Sequence, residues 1–205
     1  MRIRTKICGL TRPEDVAVAV AAGVDALGFN FAGGPRLLSV EAARPLVARV
    51  PPFVARVGLF VDADYLVIRK QMTASGCTVV QLHGNEPAEL ARALAKEWPV
   101  IKAFRIRDAA DLDRIAGYPA DAYLLDAYVP GQAGGTGQAW DHRLLAERSL
   151  DRPVILAGGL RPDNVAAAIA SCRPWAVDTA SGVESEPGIK DPTAVRAFID
   201  ACSAA

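Results

Sequence analysis

Eight short apolar runs recur along the 205-residue chain, each followed by a stretch carrying helix signals. The runs cover residues 2–8, 26–31, 55–61, 78–82, 100–104, 122–126, 154–157 and 176–178. Most are continuous rather than alternating between apolar and polar residues. Strands covered on both faces have that pattern.

The intervening stretches are punctuated as helices. Thr11-Arg12-Pro13-Glu14 has the form of a capping box with proline in the first turn, opening a helix through Ala22 that stops at Gly23. Ser39 is placed to cap a helix over residues 40–50, and Asp64 one over 65–75 that stops at Gly76. Asn85-Glu86-Pro87 opens a helix to Glu97, and Asp108 one toward Gly117. Asp141 begins another near residues 140–148, residues 164–171 form the next, and Asp191 caps the last, over 192–202.

Eight strand–helix units fit a closed (β/α)8 barrel or an open doubly wound sheet. No G-x-G-x-x-G follows the first run, so a dinucleotide site lacks its usual signal. We therefore expect an α/β fold, a single-domain (β/α)8 TIM barrel spanning residues 1–205 as one catalytic domain, without linker or low-complexity tract.

Composition narrows the function. Lys plus Arg and Asp plus Glu both number 23, so no bulk field favours nucleic acid or an anionic membrane. Any anion site must be local. The absence of a signal-peptide pattern and of a long apolar segment leads us to expect a cytoplasmic protein. The four cysteines lack C-x-x-C spacing and read as free thiols, while the two histidines give no metal-ligand spacing. No metal or other cofactor is expected, and no nucleic-acid or membrane partner.

The chemistry-bearing residues fall just after the apolar runs. Cys8 closes the first, Arg36 follows the second, Gln81 and His83 close the fourth, and Asp126 ends the sixth. Gly158-Gly159 follow the seventh and Ser181-Gly182 the eighth. In a barrel these positions share the catalytic rim. Barrels often hold a phosphate with the loops after strands seven and eight, where glycines let backbone N–H groups approach the anion. Asp126 ends an apolar run, where a carboxyl is costly unless paired or functional, and it suits a general acid. Arg36 suits bidentate recognition of a carboxylate. Cys8 has three readings: an acid/base group, a nucleophile or a small core residue. Gly134-Gly135-Thr136-Gly137 reads as a lid after the sixth strand. Cys77, Cys172 and Cys202, near helix ends, read as structural.

Taken in order, Lys6-Ile7-Cys8-Gly9-Leu10-Thr11, Gly28-Phe29-Asn30-Phe31, Val80-Gln81-Leu82-His83-Gly84, Leu124-Leu125-Asp126, Leu156-Ala157-Gly158-Gly159-Leu160 and Ser181-Gly182-Val183-Glu184 with Pro187-Gly188 and Lys190-Asp191 resemble the phosphoribosylanthranilate isomerases of tryptophan biosynthesis. The resemblance runs through nearly the whole chain. It implies a (β/α)8 barrel that carries out an Amadori rearrangement of a small phosphosugar–anthranilate substrate, as a monomer or homodimer. It implies Cys8 as general base, Asp126 as general acid and Arg36 on the anthranilate carboxylate. Gln81, His83 and Asp178 complete the substrate-binding set, and Gly158, Gly159, Ser181 and Gly182 hold the phosphate. One segment departs from the family pattern: Phe31-Ala32-Gly33-Gly34-Pro35-Arg36 is a residue short and glycine-rich. The related histidine-pathway isomerase usually has a carboxylate at the position of Cys8. A non-catalytic phosphosugar-binding protein would keep the phosphate loops without the acid or the base.

Overall fold

The computed structural model describes residues 2–127, 145 and 150–205. Eight parallel strands close on themselves in sequence order: β1 (Arg4–Cys8), β2 (Ala26–Asn30), β3 (Ala55–Phe60), β4 (Val79–Leu82), β5 (Val100–Ile106), β6 (Ala122–Ala127), β7 (Val154–Leu156) and β8 (Ala176–Thr179). The barrel is sealed where β8 pairs with β1, setting Asp178 opposite Lys6. The closed barrel is therefore adopted, not the open sheet. The described helices are α1 (Pro13–Ala21), α2 (Val40–Val47), α3 (Tyr65–Ser75), α4 (Ala88–Leu94), α5 (Ala109–Ile115), α6 (Val165–Cys172) and α7 (Pro192–Ala204). The expected lid at Gly134–Gly137 and the helix near Asp141 lie outside the described residues.

Two apolar layers follow from the strand period of two. Inward-facing residues fill the barrel with small and branched side chains, among them Ala103, Leu124, Ile155 and Ala176. Outward-facing residues such as Ile7, Leu27, Val80 and Leu125 pack under helix residues such as Val16, Ile68 and Phe198, all fully or nearly fully buried. Burying both faces explains why the strands read as continuous apolar runs.

Several helix starts match the sequence reading. Ser39 accepts from Ala42 N, Asp64 from Val67 N, Asp108 from Ala110 N and Asp111 N, and Asp191 from Thr193 N and Ala194 N. Gly76 ends α3 in the left-handed conformation, at φ 80°. Two starts differ. Arg12, not Thr11, stands at the N-cap of α1, and no side chain caps that helix. The Thr11 hydroxyl instead donates to Gly188 O at 2.5 Å, tying the β1 loop to the segment before α7. At α4 the N-cap is Pro87, and Glu86 turns inward. It accepts from Lys102 Nζ at 2.9 Å and from the backbone N–H groups of Asp62 and Gly84. Lys102 also donates to the carbonyls of Gly84 and Ala103. This buried pair fixes the loop that follows His83.

Among the described residues no helix is long and apolar enough to cross a membrane. All four cysteines are free.

Candidate active site

A cavity of about 390 Å³ opens at the C-terminal ends of the strands. Cys8, Arg36, Gln81, His83, Asp126, Gly158, Gly159, Asp178, Ser181 and Gly182 all line it. The barrel thus brings together every site residue expected from the sequence, from six different strand ends or the loops after them.

Cys8 ends β1 and is 7% exposed. Its sulfur lies against Gly28 of the neighbouring strand, where an added Cβ would come within 2.6 Å of Sγ. Glycine at that position makes the space the thiol occupies. The next residue, Gly9, has φ +78°, and a Cβ there would stand 2.3 Å from Arg36 Cδ. Gly9 therefore meets both a conformational and a steric demand, and it lets the arginine lie along the loop after Cys8.

Arg36 reaches the cavity across its short loop. Its Nε donates to Glu184 Oε1 at 2.8 Å and its second terminal nitrogen to Oε2 at 2.5 Å. This fork-to-fork geometry fixes the guanidinium plane. The hydrogen bond to Glu184 holds the arginine above its ordinary range. Glu184 also accepts from Lys190 Nζ at 2.7 Å. Burial disfavours the Glu184 carboxylate, yet Arg36 and Lys190 outweigh it and keep the group below the usual range. Lys190 is 1% exposed and donates as well to the carbonyls of Cys8 (2.6 Å) and Ala180 (2.9 Å). One network thus links the loops after β1, β2 and β8.

Opposite them, the Gln81 amide lies 2.8 Å from His83 Nδ1, which leaves Nε2 as the ring nitrogen turned to the carboxylate. That nitrogen faces Asp126 Oδ2 at 3.4 Å. Asp126 is 7% exposed, at the end of β6.

The loops after β7 and β8 close the remaining side. Gly158 and Gly159 have φ of 90° and 67°, conformations that L side chains rarely adopt. Asn164 Nδ2 donates to Gly159 O and its Oδ1 accepts from Arg161 N, so the side chain braces this loop from the start of α6. After β8, residues Ser181–Val183 form a 3-10 turn. Gly182 packs so closely on the β7 loop that a Cβ would stand 1.9 Å from Leu160 O. Backbone N–H groups can approach an anion closely in such a cradle.

Comparison with known proteins agrees with this geometry. Residues 5–201 match the family model described as N-(5'-phosphoribosyl)anthranilate (PRA) isomerase. The chain belongs to the N-(5'-phosphoribosyl)anthranilate isomerase family. The enzyme of that name from Thiobacillus denitrificans is 49% identical over 208 residues, covering 100% of both chains. The solved phosphoribosyl anthranilate isomerase of Thermotoga maritima superposes with a TM-score of 0.93 at 40% identity, covering 99% of this chain and 100% of that one. A further isomerase structure, at TM-score 0.88 and 38% identity, was solved with reduced 1-(o-carboxyphenylamino)-1-deoxyribulose 5-phosphate and covers 99% of this chain and 100% of that one.

Within this isomerase barrel, sequence reasoning passed over four cavity or support residues. Glu184 and Lys190 stood only as letters of a family motif, and their mutual contact with Arg36 is a tertiary fact. Lys6 lies in the first strand, where its charge gave no sign that it faces the barrel interior. Arg105, one strand residue beyond the expected end of β5, lines the cavity and sits opposite Asp126 in register. A β5 extended to Ile106 would have revealed it. Among the described residues no three His, Cys, Asp or Glu side chains converge as metal ligands.

Proposed function

We propose that this barrel, acting as a single catalytic domain over residues 1–205, converts N-(5-phospho-β-D-ribosyl)anthranilate to 1-(2-carboxyphenylamino)-1-deoxyribulose 5-phosphate, with Asp126 as acid and Cys8 as base. The observation that carries the reading is the placement of Cys8 and Asp126 in one cavity flanked by a fixed arginine and a glycine-built anion cradle. Asp126 gives its proton to the furanose ring oxygen. The C1–O bond breaks and the nitrogen lone pair forms a C1=N Schiff base. The Cys8 thiolate then removes the C2 proton, and the electron pair forms the C1=C2 bond of an enolamine while the nitrogen becomes neutral. Tautomerisation adds a proton at C1 and removes the one on the C2 hydroxyl, leaving the ketone. Every step is a proton transfer or a bond shift within the substrate, so the scheme asks for no redox cofactor.

Binding at two anionic ends aligns the sugar between acid and base. Arg36 takes the anthranilate carboxylate, and the backbone around Gly158, Gly159, Ser181 and Gly182 takes the phosphate. Gln81, His83 and Asp178 line the space between. Holding both ends removes much of the orientational freedom that the reaction would otherwise have to overcome. We place the enzyme in the cytoplasm, as a monomer or homodimer.

The test is turnover of the anthranilate sugar by the purified protein, followed as loss of its fluorescence at several pH values. Turnover supports the assignment. Binding without turnover would indicate a phosphosugar-binding protein.

A further inference from the structure

At the mouth of the cavity stands a cation that the acid–base scheme leaves without a task. Arg105 lies near the end of β5 and continues the inward-facing file of Ile101 and Ala103, because alternate residues of a strand share a face. Its register partner on β6 is Asp126, which continues the inward file of Ala122 and Leu124 in the same way. Neighbouring strands run about 4.8 Å apart, so Arg105 stands directly beside the proposed acid. It lines the cavity and is exposed at its rim.

The other charged groups of the lining face partners. Arg36 commits its Nε and one terminal nitrogen to Glu184. Asp178 accepts from Lys6 Nζ at 2.9 Å, and Asp126 faces His83 Nε2 at 3.4 Å. Among the described residues no hydrogen bond or ion pair holds the Arg105 guanidinium, whose five N–H donors stay open to the cavity mouth. A solvated surface arginine is ordinary. This one ends an inward file whose deeper members are small or apolar, above a cavity whose glycine cradle supplies only neutral N–H groups. The proposed substrate brings a phosphate and a carboxylate, about three negative charges together. Without Arg105, two acidic residues of the lining would be answered by one arginine, itself already held by Glu184.

We propose that Arg105 is a further substrate-binding residue, its guanidinium pairing with an anionic group of the substrate, phosphate or carboxylate, three strands around the barrel from Arg36. This rests on the reading of the cavity as the isomerase site and adds a contact to it. A planar guanidinium fits either group through two parallel N–H···O bonds. Cations from β5 and from the loop after β2 then hold one ligand between them, and the exposed one also draws the anion in from solvent.

Arg105→Met keeps an unbranched stem and removes the charge and the donors. The residue is exposed and unpaired, so the urea midpoint of the variant should match that of the wild type. KM for the anthranilate sugar rises about tenfold in Arg105→Met, the scale of a lost charge-assisted hydrogen bond, with a smaller change in kcat. Arg105→Lys recovers part of the loss, because it keeps the charge without the fork. Raising ionic strength from about 0.01 M to about 0.15 M narrows the gap between wild type and Arg105→Met, since salt screens an exposed charge. Calorimetric titration with reduced 1-(o-carboxyphenylamino)-1-deoxyribulose 5-phosphate reads the same loss as a weaker Kd, without turnover. Competition by inorganic phosphate and by anthranilate names the group: the anion whose inhibition weakens in Arg105→Met is the one that Arg105 holds. Unchanged KM and Kd in the folded Met variant overturn the proposal, as does unchanged inhibition by both anions. A wild-type protein that binds the reduced product without turning over the sugar would instead sink the isomerase reading, and the Kd comparison would still decide the role of Arg105.

Discussion

Arg36 and Glu184, 148 positions apart, meet as a bidentate pair whose contacts measure 2.8 and 2.5 Å. The carboxylate presets the guanidinium plane before any substrate carboxylate arrives, and the cavity gains an oriented cation where a free arginine would sample many rotamers. Arg36→Ala is expected to raise KM about tenfold or more, the scale of a lost charge-assisted hydrogen bond, with a smaller change in kcat. Glu184→Ala should raise KM little further in the Arg36→Ala background, because its effect on carboxylate binding acts through the arginine, while the loss of its 2.7 Å pair with buried Lys190 should appear separately as lower stability. Steady-state kinetics on the double-mutant cycle checks both. Additive losses, or an unchanged KM in Arg36→Ala, would show that the short loop does not deliver the arginine to the substrate.

Gly28 tests the space around the base. An alanine there would bring its Cβ within 2.6 Å of the Cys8 sulfur, so the thiol must move. A displacement of about 1 Å at a reacting group can cost on the order of a hundredfold in rate. Gly28→Ala should therefore lose most of its kcat while circular dichroism still reports a folded barrel. Wild-type turnover in a folded variant would mean that the sulfur position is not critical.

Lys102 and Glu86 form the buried pair that clamps the loop after β4. Their side chains are 4% and 1% exposed. Lys102→Met strands the Glu86 carboxylate and should destabilise the protein by about 3–5 kcal/mol. Replacing both by apolar residues should restore much of that loss. Urea unfolding of the three proteins measures the difference, and equal stability of the single and double variants would contradict it.

Asp111 carries a pH signature at low pH. The hydrogen bond from Arg107 holds its carboxyl down to about 2, below the ordinary ~3.9 of an unfolded chain. A depressed folded value means stabilisation that is present above the unfolded value and lost as pH falls through the folded one. The wild-type urea midpoint should thus fall between about pH 4 and pH 2 more steeply than that of Asp111→Asn. Identical slopes would remove Asp111 from the acid sensitivity.

The fold was legible because each strand is buried on both faces and therefore announces itself as an apolar run. Helix starts were legible where a side chain caps its own helix, as at Ser39, Asp64, Asp108 and Asp191. The reading failed at Thr11, where a tertiary partner, Gly188 O, took the polar group. Local pattern carries no record of such competition. The site shows the same division. Residues at strand ends, such as Cys8 and Asp126, follow from topology once a barrel is assumed. Glu184, Lys190 and Lys6 matter through partners 148, 182 and 172 positions away, which no spacing rule connects.

The central claim is that Cys8 and Asp126 divide the proton transfers of the rearrangement. Turnover of the anthranilate sugar by Cys8→Ala and by Asp126→Asn, each compared with the wild-type protein, tests it most directly. Each variant is expected to lose about two to four orders of magnitude in kcat, the usual worth of general acid–base catalysis, with KM changed far less. Near wild-type turnover in either folded variant would contradict the division of roles.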